Sequence, residues 1–92
     1  MTATFNNYID GVWQPAASGD TFENRNPADR DDLIGVFAAS GADDVDAALA
    51  AADAAFDGWR KTSVIQRSVI LLKAADILAS RANDIGRELT RE

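Results

Sequence analysis

The sequence predicts an α/β fold, α+β within its 92 residues, in which a short amino-terminal β-hairpin and further strands precede two or three α-helices. Three observations carry that prediction. Asp10-Gly11 separates two short runs of strand formers, the hydrophobic period changes from two residues to about 3.6 at Asp43, and Ser63 with Gln66 makes a helix-start signal. Strands and loops are therefore expected over 1–42 and helices over 43–92, all within one small domain whose core is modest for its size.

Taken in order, Tyr8 and Ile9 are joined to Val12 and Trp13 by Asp10-Gly11, a pair that tolerates the positive φ angles of a two-residue hairpin turn. The second strand should stop near Gln14, because Pro15 cannot donate a ladder hydrogen bond and Ala16 to Asp20 is small and polar. Thr21 to Arg25 alternates and extends again. Asn26-Pro27 then signals a turn, since the proline pushes Asn26 out of the helical region, and an acidic loop is expected over Ala28 to Asp32. Leu33, Ile34, Val36 and Phe37 surround Gly35 in a run short enough for a buried strand, with the glycine permitting a bulge or a close backbone approach. Ser40-Gly41 ends it.

The first helix is expected from Asp43, acting as N-cap with Asp46 three residues on, to about Arg60. Val45, Ala48, Leu49, Ala52, Phe56 and Trp59 form its apolar stripe, so Trp59 is expected to be buried. Ser63-Val64-Ile65-Gln66 fits a reciprocal capping box opening a second helix. From Ile65 to Ala82 apolar residues cover more than half of that helix, leaving only Gln66, Lys73 and Ser80 as a wet stripe, so it calls for partners on at least two sides. Asn83 is the expected cap of a third segment to Glu92, in which Ile85 and Leu89 share a face, Glu88 reaches Arg91, and Gly86 costs about 1 kcal/mol relative to alanine. No stop signal accompanies Glu92, so the helical pattern is expected to run on in a longer parent chain.

Composition narrows the function classes. Hydrophobic residues make up 47% and charged residues 26%, the balance of a folded chain. The net charge of −6 divides unevenly: eleven acids meet two bases up to Asp57, whereas seven bases meet four acids after it. Those bases are spread along the helices and form no cluster beyond the Arg60-Lys61 pair, which argues against nucleic-acid binding, and the apolar helix lacks the basic face of an interfacial membrane helix. The longest purely aliphatic run, Val69 to Leu72, falls far short of the roughly 20 residues that span a bilayer; a cytoplasmic location is the expectation. There is no Cys and no His, hence no disulfide, thiolate or imidazole metal site, cysteine nucleophile or histidine base within these residues. Asp29, Asp31 and Asp32 lack the glycine and distal glutamate of a calcium loop and are expected to be solvated. The six glycines are isolated and form no phosphate cradle, and Ser63 is a cap with no base beside it.

The ordered signals Asn7-Tyr8-Ile9-Asp10-Gly11-Val12-Trp13, Ser18-Gly19-Asp20-Thr21-Phe22, Asn26-Pro27-Ala28, Ile34-Gly35, Asp44-Val45-Asp46-Ala47-Ala48, Ala54-Ala55-Phe56 with Trp59, and Arg67 with Leu72 and Ala75-Asp76-Ile77-Leu78 closely resemble the amino-terminal region of the aldehyde dehydrogenase superfamily. Asn26-Pro27-Ala28-Asp29, Asp32-Leu33-Ile34-Gly35 and Leu89-Thr90-Arg91-Glu92 look most like the 2-oxoglutarate semialdehyde (2,5-dioxopentanoate) dehydrogenase group. The resemblance implies the first fifth of a longer enzyme, with a Gly-Lys pair expected just past Glu92.

The chemistry so implied is oxidation of an aldehyde to a carboxylate. A cysteine thiolate attacks the aldehyde, the hemithioacetal yields hydride to NAD or NADP, a glutamate-activated water releases the acid, and an asparagine stabilises the oxyanion. None of those residues matches a position here, so the expected catalytic, cofactor-binding and metal residues are none, and the chain alone is expected to be inactive. In some members the carboxylate matching Glu92, with carbonyls near the residue matching Asn24, helps hold a structural monovalent cation; a solvated helix-end glutamate is the plainer reading of Glu92. The implied partners are the remainder of the dehydrogenase chain and an aldehyde substrate, in a homo-oligomer. Two alternatives stay open: a catalytically dead interaction module that keeps only the family's first segment, and an unrelated acidic partner-binding protein.

Overall fold

The computed structural model describes residues 2–92. Five strands precede three helices: β1 Thr4–Phe5, β2 Asn7–Ile9, β3 Val12–Gln14, β4 Thr21–Asn26, β5 Asp29–Ala38, α1 Ala42–Lys61, α2 Val64–Ser80 and α3 Ala82–Arg91. β2 and β3 form a separate antiparallel hairpin, with Ile9 opposite Val12. Its turn residues Asp10 and Gly11 have φ of 52° and 76°, the left-handed pair that matches the twist of the flanking strands. The second strand does end at Gln14.

The larger sheet has the order β1-β5-β4. β5 is the central strand, parallel to β1 and antiparallel to β4. The parallel β1 pairing has no local signature in the sequence, because its partner lies beyond the hairpin and β4. Gly35 explains how β1 comes so close: a Cβ there would stand 2.5 Å from the Phe5 ring and 3.2 Å from the Ala3 carbonyl oxygen. Phe5, Phe37 and Phe22 then stack across the three strands, with ring centroids 4.8 Å and 5.7 Å apart.

The acidic loop expected over Ala28 to Asp32 is corrected. Pro27-Ala28 closes a tight connection with Asn26 opposite Asp29, and Asp29 to Asp32 belong to β5. Register shifts on either side of Arg25 absorb the extra β5 residues. Charge did not prevent a strand here because these carboxylates stay at the sheet's wet end, where Asp29 Oδ1 accepts from the Asp31 amide.

α1 starts one residue before the expected cap, with Gly41 as N-cap. The carboxylate that caps it belongs to Asp44, not Asp43. Asp44 Oδ2 accepts from the Gly41 amide and its Oδ1 accepts from the Ala17 amide, both at 2.9 Å, so one side chain ties the helix start to the loop after β3. Ser63 caps α2 as expected, its Oγ accepting from the Gln66 amide at 3.1 Å, while the reciprocal glutamine bond is not formed. Asn83 is not a cap; α3 begins at Ala82 after Arg81, whose φ of −107° and ψ of 11° interrupt the helical run for a single residue.

The largest departure concerns burial. The core consists of Ala16 and Ile34, and no residue of any helix is buried. Trp59, expected inside, is 44% exposed, because no described element packs over it. The accessible surface is 7366 Å², against about 5,200 Å² for a closed monomer of this mass. The radius of gyration is 16.8 Å, against about 12 Å for a compact chain of this length. Each helix is formed by its own backbone bonds and caps, and none packs along another.

Candidate functional site

Among the described residues, the charged side chains that meet over the longest stretch of sequence do so between the end of the β4–β5 hairpin and the end of α3. Arg91 offers its guanidinium edge to Asp32, with Nη2 to Oδ1 at 2.7 Å and Nε to Oδ2 at 3.1 Å, a bidentate pair. Asn26 Nδ2 donates to Asp32 Oδ2 at 3.2 Å, and Arg91 Nη1 donates to Glu88 at 3.1 Å. The pairing of Glu88 with Arg91 was legible in their helical spacing; that of Asp32 with Arg91, 59 residues apart, was not. The hydrogen bonds from Arg91 and then from Asn26 hold the Asp32 carboxyl below the ordinary carboxylate range, and Asp32 in turn raises the Arg91 guanidinium. Both side chains remain about one-third exposed.

This arrangement is an ion pair whose charges are matched within the chain. Asp32, the one acid of the Asp29, Asp31 and Asp32 group with a strong partner, is satisfied by a cation already in the chain. No group of three or more potential metal ligands gathers among the described residues. Ser63 is committed to its cap. Asn24 lies in β4 and Glu92 is exposed past the end of α3. Gly35, the one glycine approached closely, has the Phe5 ring against it.

What the chain does present is apolar surface. Every residue of α2 is exposed except Arg67, and Ile65 reaches 77% and Leu72 66%. On α1, Val45, Leu49 and Phe56 lie open; on α3, Ile85 and Leu89 do. The hairpin adds Tyr8 and Trp13, a cross-strand pair with centroids 4.7 Å apart that is likewise open to solvent. Isolated apolar side chains on a surface are ordinary, but so many on each of three helices mark surfaces suited to contact. The Nε of Arg67 is shielded from solvent with no hydrogen-bond partner, a donor waiting for an acceptor that the described residues do not supply.

The chain is similar in sequence and fold to known proteins. The model of the aldehyde dehydrogenase family matches residues 13–92. An alpha-ketoglutaric semialdehyde dehydrogenase of Bacillus subtilis is 40% identical over 89 residues, 97% of this chain and 18% of the relative. An alpha-ketoglutarate semialdehyde dehydrogenase of Haloferax volcanii is 37% identical over 92 residues, all of this chain and 19% of the relative. The crystal structure of an NAD-dependent aldehyde dehydrogenase from Sinorhizobium meliloti superposes with a TM-score of 0.81 at 34% identity, covering 88% of this chain and 16% of that one. The chain thus spans less than one-fifth of the length of these relatives.

Proposed function

The chain belongs to the aldehyde dehydrogenase family, and from that premise we propose that it is the amino-terminal packing segment of an enzyme that oxidises an aldehyde, of the semialdehyde class, to a carboxylate with NAD or NADP. The observation that carries this reading is the open apolar series on α1, α2 and α3, in a chain that spans only 18% of its Bacillus relative. Burying such a series stabilises a protein by about 25 cal/mol per Å², and the excess of some 2,200 Å² over a closed monomer is the area that the remainder of the dehydrogenase would cover. Within the same reading the enzyme is cytoplasmic and homo-oligomeric, and its aldehyde, its cofactor and its reacting groups are held by residues outside this chain. The cofactor, when bound there, accepts the hydride; the residues present here only support the fold around it.

A self-contained interaction module fits less well. Such a module would close its own core, and this chain leaves Trp59 half open and α2 bare. The test is functional complementation. Purified alone, the 92-residue chain should reduce neither NAD nor NADP in the presence of an aldehyde. Mixed with the Bacillus relative from which the matching segment has been deleted, it should restore aldehyde-dependent reduction. Activity of the chain alone, or failure of the mixture, would overturn the proposal.

A further inference from the structure

Arg67 stands apart on α2. It is the one residue of that helix that is not exposed, and its Nε is shielded from solvent with no hydrogen-bond partner among the described residues. At about 100° per residue, Val64 and Leu71 lie on its face about one turn before and after it, and Leu78 continues the row. Asp76, the one acid of α2, follows nine residues later and lies on the opposite side. Gln66, Lys73 and Ser80 make up the wet stripe, and Arg67 is not on it. The helix thus carries a permanent cation inside its apolar arc.

We propose, on the reading that this chain is the packing segment of a longer dehydrogenase, that Arg67 is a docking residue. Where the rest of the enzyme covers this face of α2, a carboxylate on the covering surface meets the Arg67 guanidinium. The chain spans 18% of its Bacillus relative, so the greater part of such an enzyme is available to supply that surface.

Charge decides the chemistry of the partner. A surface laid over Val64, Ile70, Leu71 and Leu78, all more than half exposed, removes water from the guanidinium among them. Arginine does not shed its proton on burial, and a desolvated cation without an anion is costly enough that buried charges are found paired. A wholly apolar covering surface is therefore disfavoured by the residue it has to cover. A backbone carbonyl would satisfy Nε and leave the charge unmatched, whereas the planar fork fits both oxygens of one carboxylate. Nε is already out of water, so part of the desolvation is complete before docking.

The test titrates the fluorescently labelled 92-residue chain with the Bacillus relative from which the matching segment has been deleted. The unsubstituted chain should bind. Arg67→Met keeps an apolar stem of similar length and removes the charge; it should weaken binding about 10- to 100-fold, with the helical circular dichroism of the free variant unchanged. Arg67→Lys, which keeps the charge and loses the fork, should fall between the two. In the complex of the Arg67→Lys chain, a water-soluble carbodiimide activates the facing carboxylate, the amine at position 67 forms an amide with it, and the carbodiimide leaves as its urea. Mass spectrometry should then find position 67 joined to an Asp or Glu of the relative. Where Arg67→Met lowers the helical signal, that link decides by itself. Binding of Arg67→Met as tight as that of the unsubstituted chain, or the absence of a link at position 67, would overturn the docking role and leave the packing reading standing. An unsubstituted chain that does not bind the deleted relative would overturn both.

Discussion

The strand half and the helical half of this molecule are held by different forces. From β1 to β5 the structure is set by contacts between residues far apart: Phe5 on Phe37, Phe22 on Phe37, Gly35 under the Phe5 ring. From α1 to α3 it is set by neighbours: the Asp44 and Ser63 caps, and ion pairs of Asp57 with Arg60 and Lys61. The difference teaches that secondary structure can be complete where tertiary packing is sparse. An amphipathic pattern states what a helix face requires, and whether the requirement is met depends on residues elsewhere.

That contrast ranks the responses to substitution. The largest effect belongs to Gly35→Ala, where the added methyl meets the Phe5 ring at 2.5 Å and 2.9 Å; the strand half should lose about 1 to 3 kcal/mol, and hydrogen exchange at Val36 should accelerate. Gly11→Val, forced to keep a φ of 76°, should cost about 1 to 2 kcal/mol in a denaturant series. Ser63→Ala removes the α2 cap and should cost about 1 kcal/mol, seen as lost helical circular dichroism. The smallest change is at Ile65→Ser, below about 0.5 kcal/mol, because Ile65 is already in water. An Ile65 effect as large as that of Gly35 would break the comparison.

The ion pair between the two halves has its own pH signature. Asp32 is held below its ordinary value, chiefly by Arg91, so the stabilisation it contributes is fully present above the unfolded carboxylate value of about 3.9 and is lost as pH falls through the lower folded value. The stability difference between the parent chain and Asp32→Asn, read by denaturant titration, should therefore be unchanged from pH 7 to about 5 and should shrink only below about 3.9.

Much of this was legible in the residues, and the exceptions have physical causes. The Asp10-Gly11 turn and the Ser63 cap were readable because each is decided within four residues. β1 was not, because a two-residue parallel strand gains its stability from β5 alone. Asp29 to Asp32 looked like a loop because charge suggested solvent, and a sheet end satisfies that demand equally well. Trp59 was placed inside by a stripe that is real, but whose covering surface these residues do not provide. No reacting site was expected from the residues. The family was legible only from the order of many weak signals, and the match over residues 13–92 agrees with it.

The most direct test of the open apolar face is the binding of a hydrophobic fluorescent probe, measured with sedimentation velocity on the purified 92-residue chain. The account predicts strong probe fluorescence and concentration-dependent self-association, both reduced by Ile65→Ser together with Leu72→Ser, which remove two of the most exposed aliphatic side chains of α2. A monodisperse, compact monomer that binds no probe would contradict it, and would mean that this chain closes its own core.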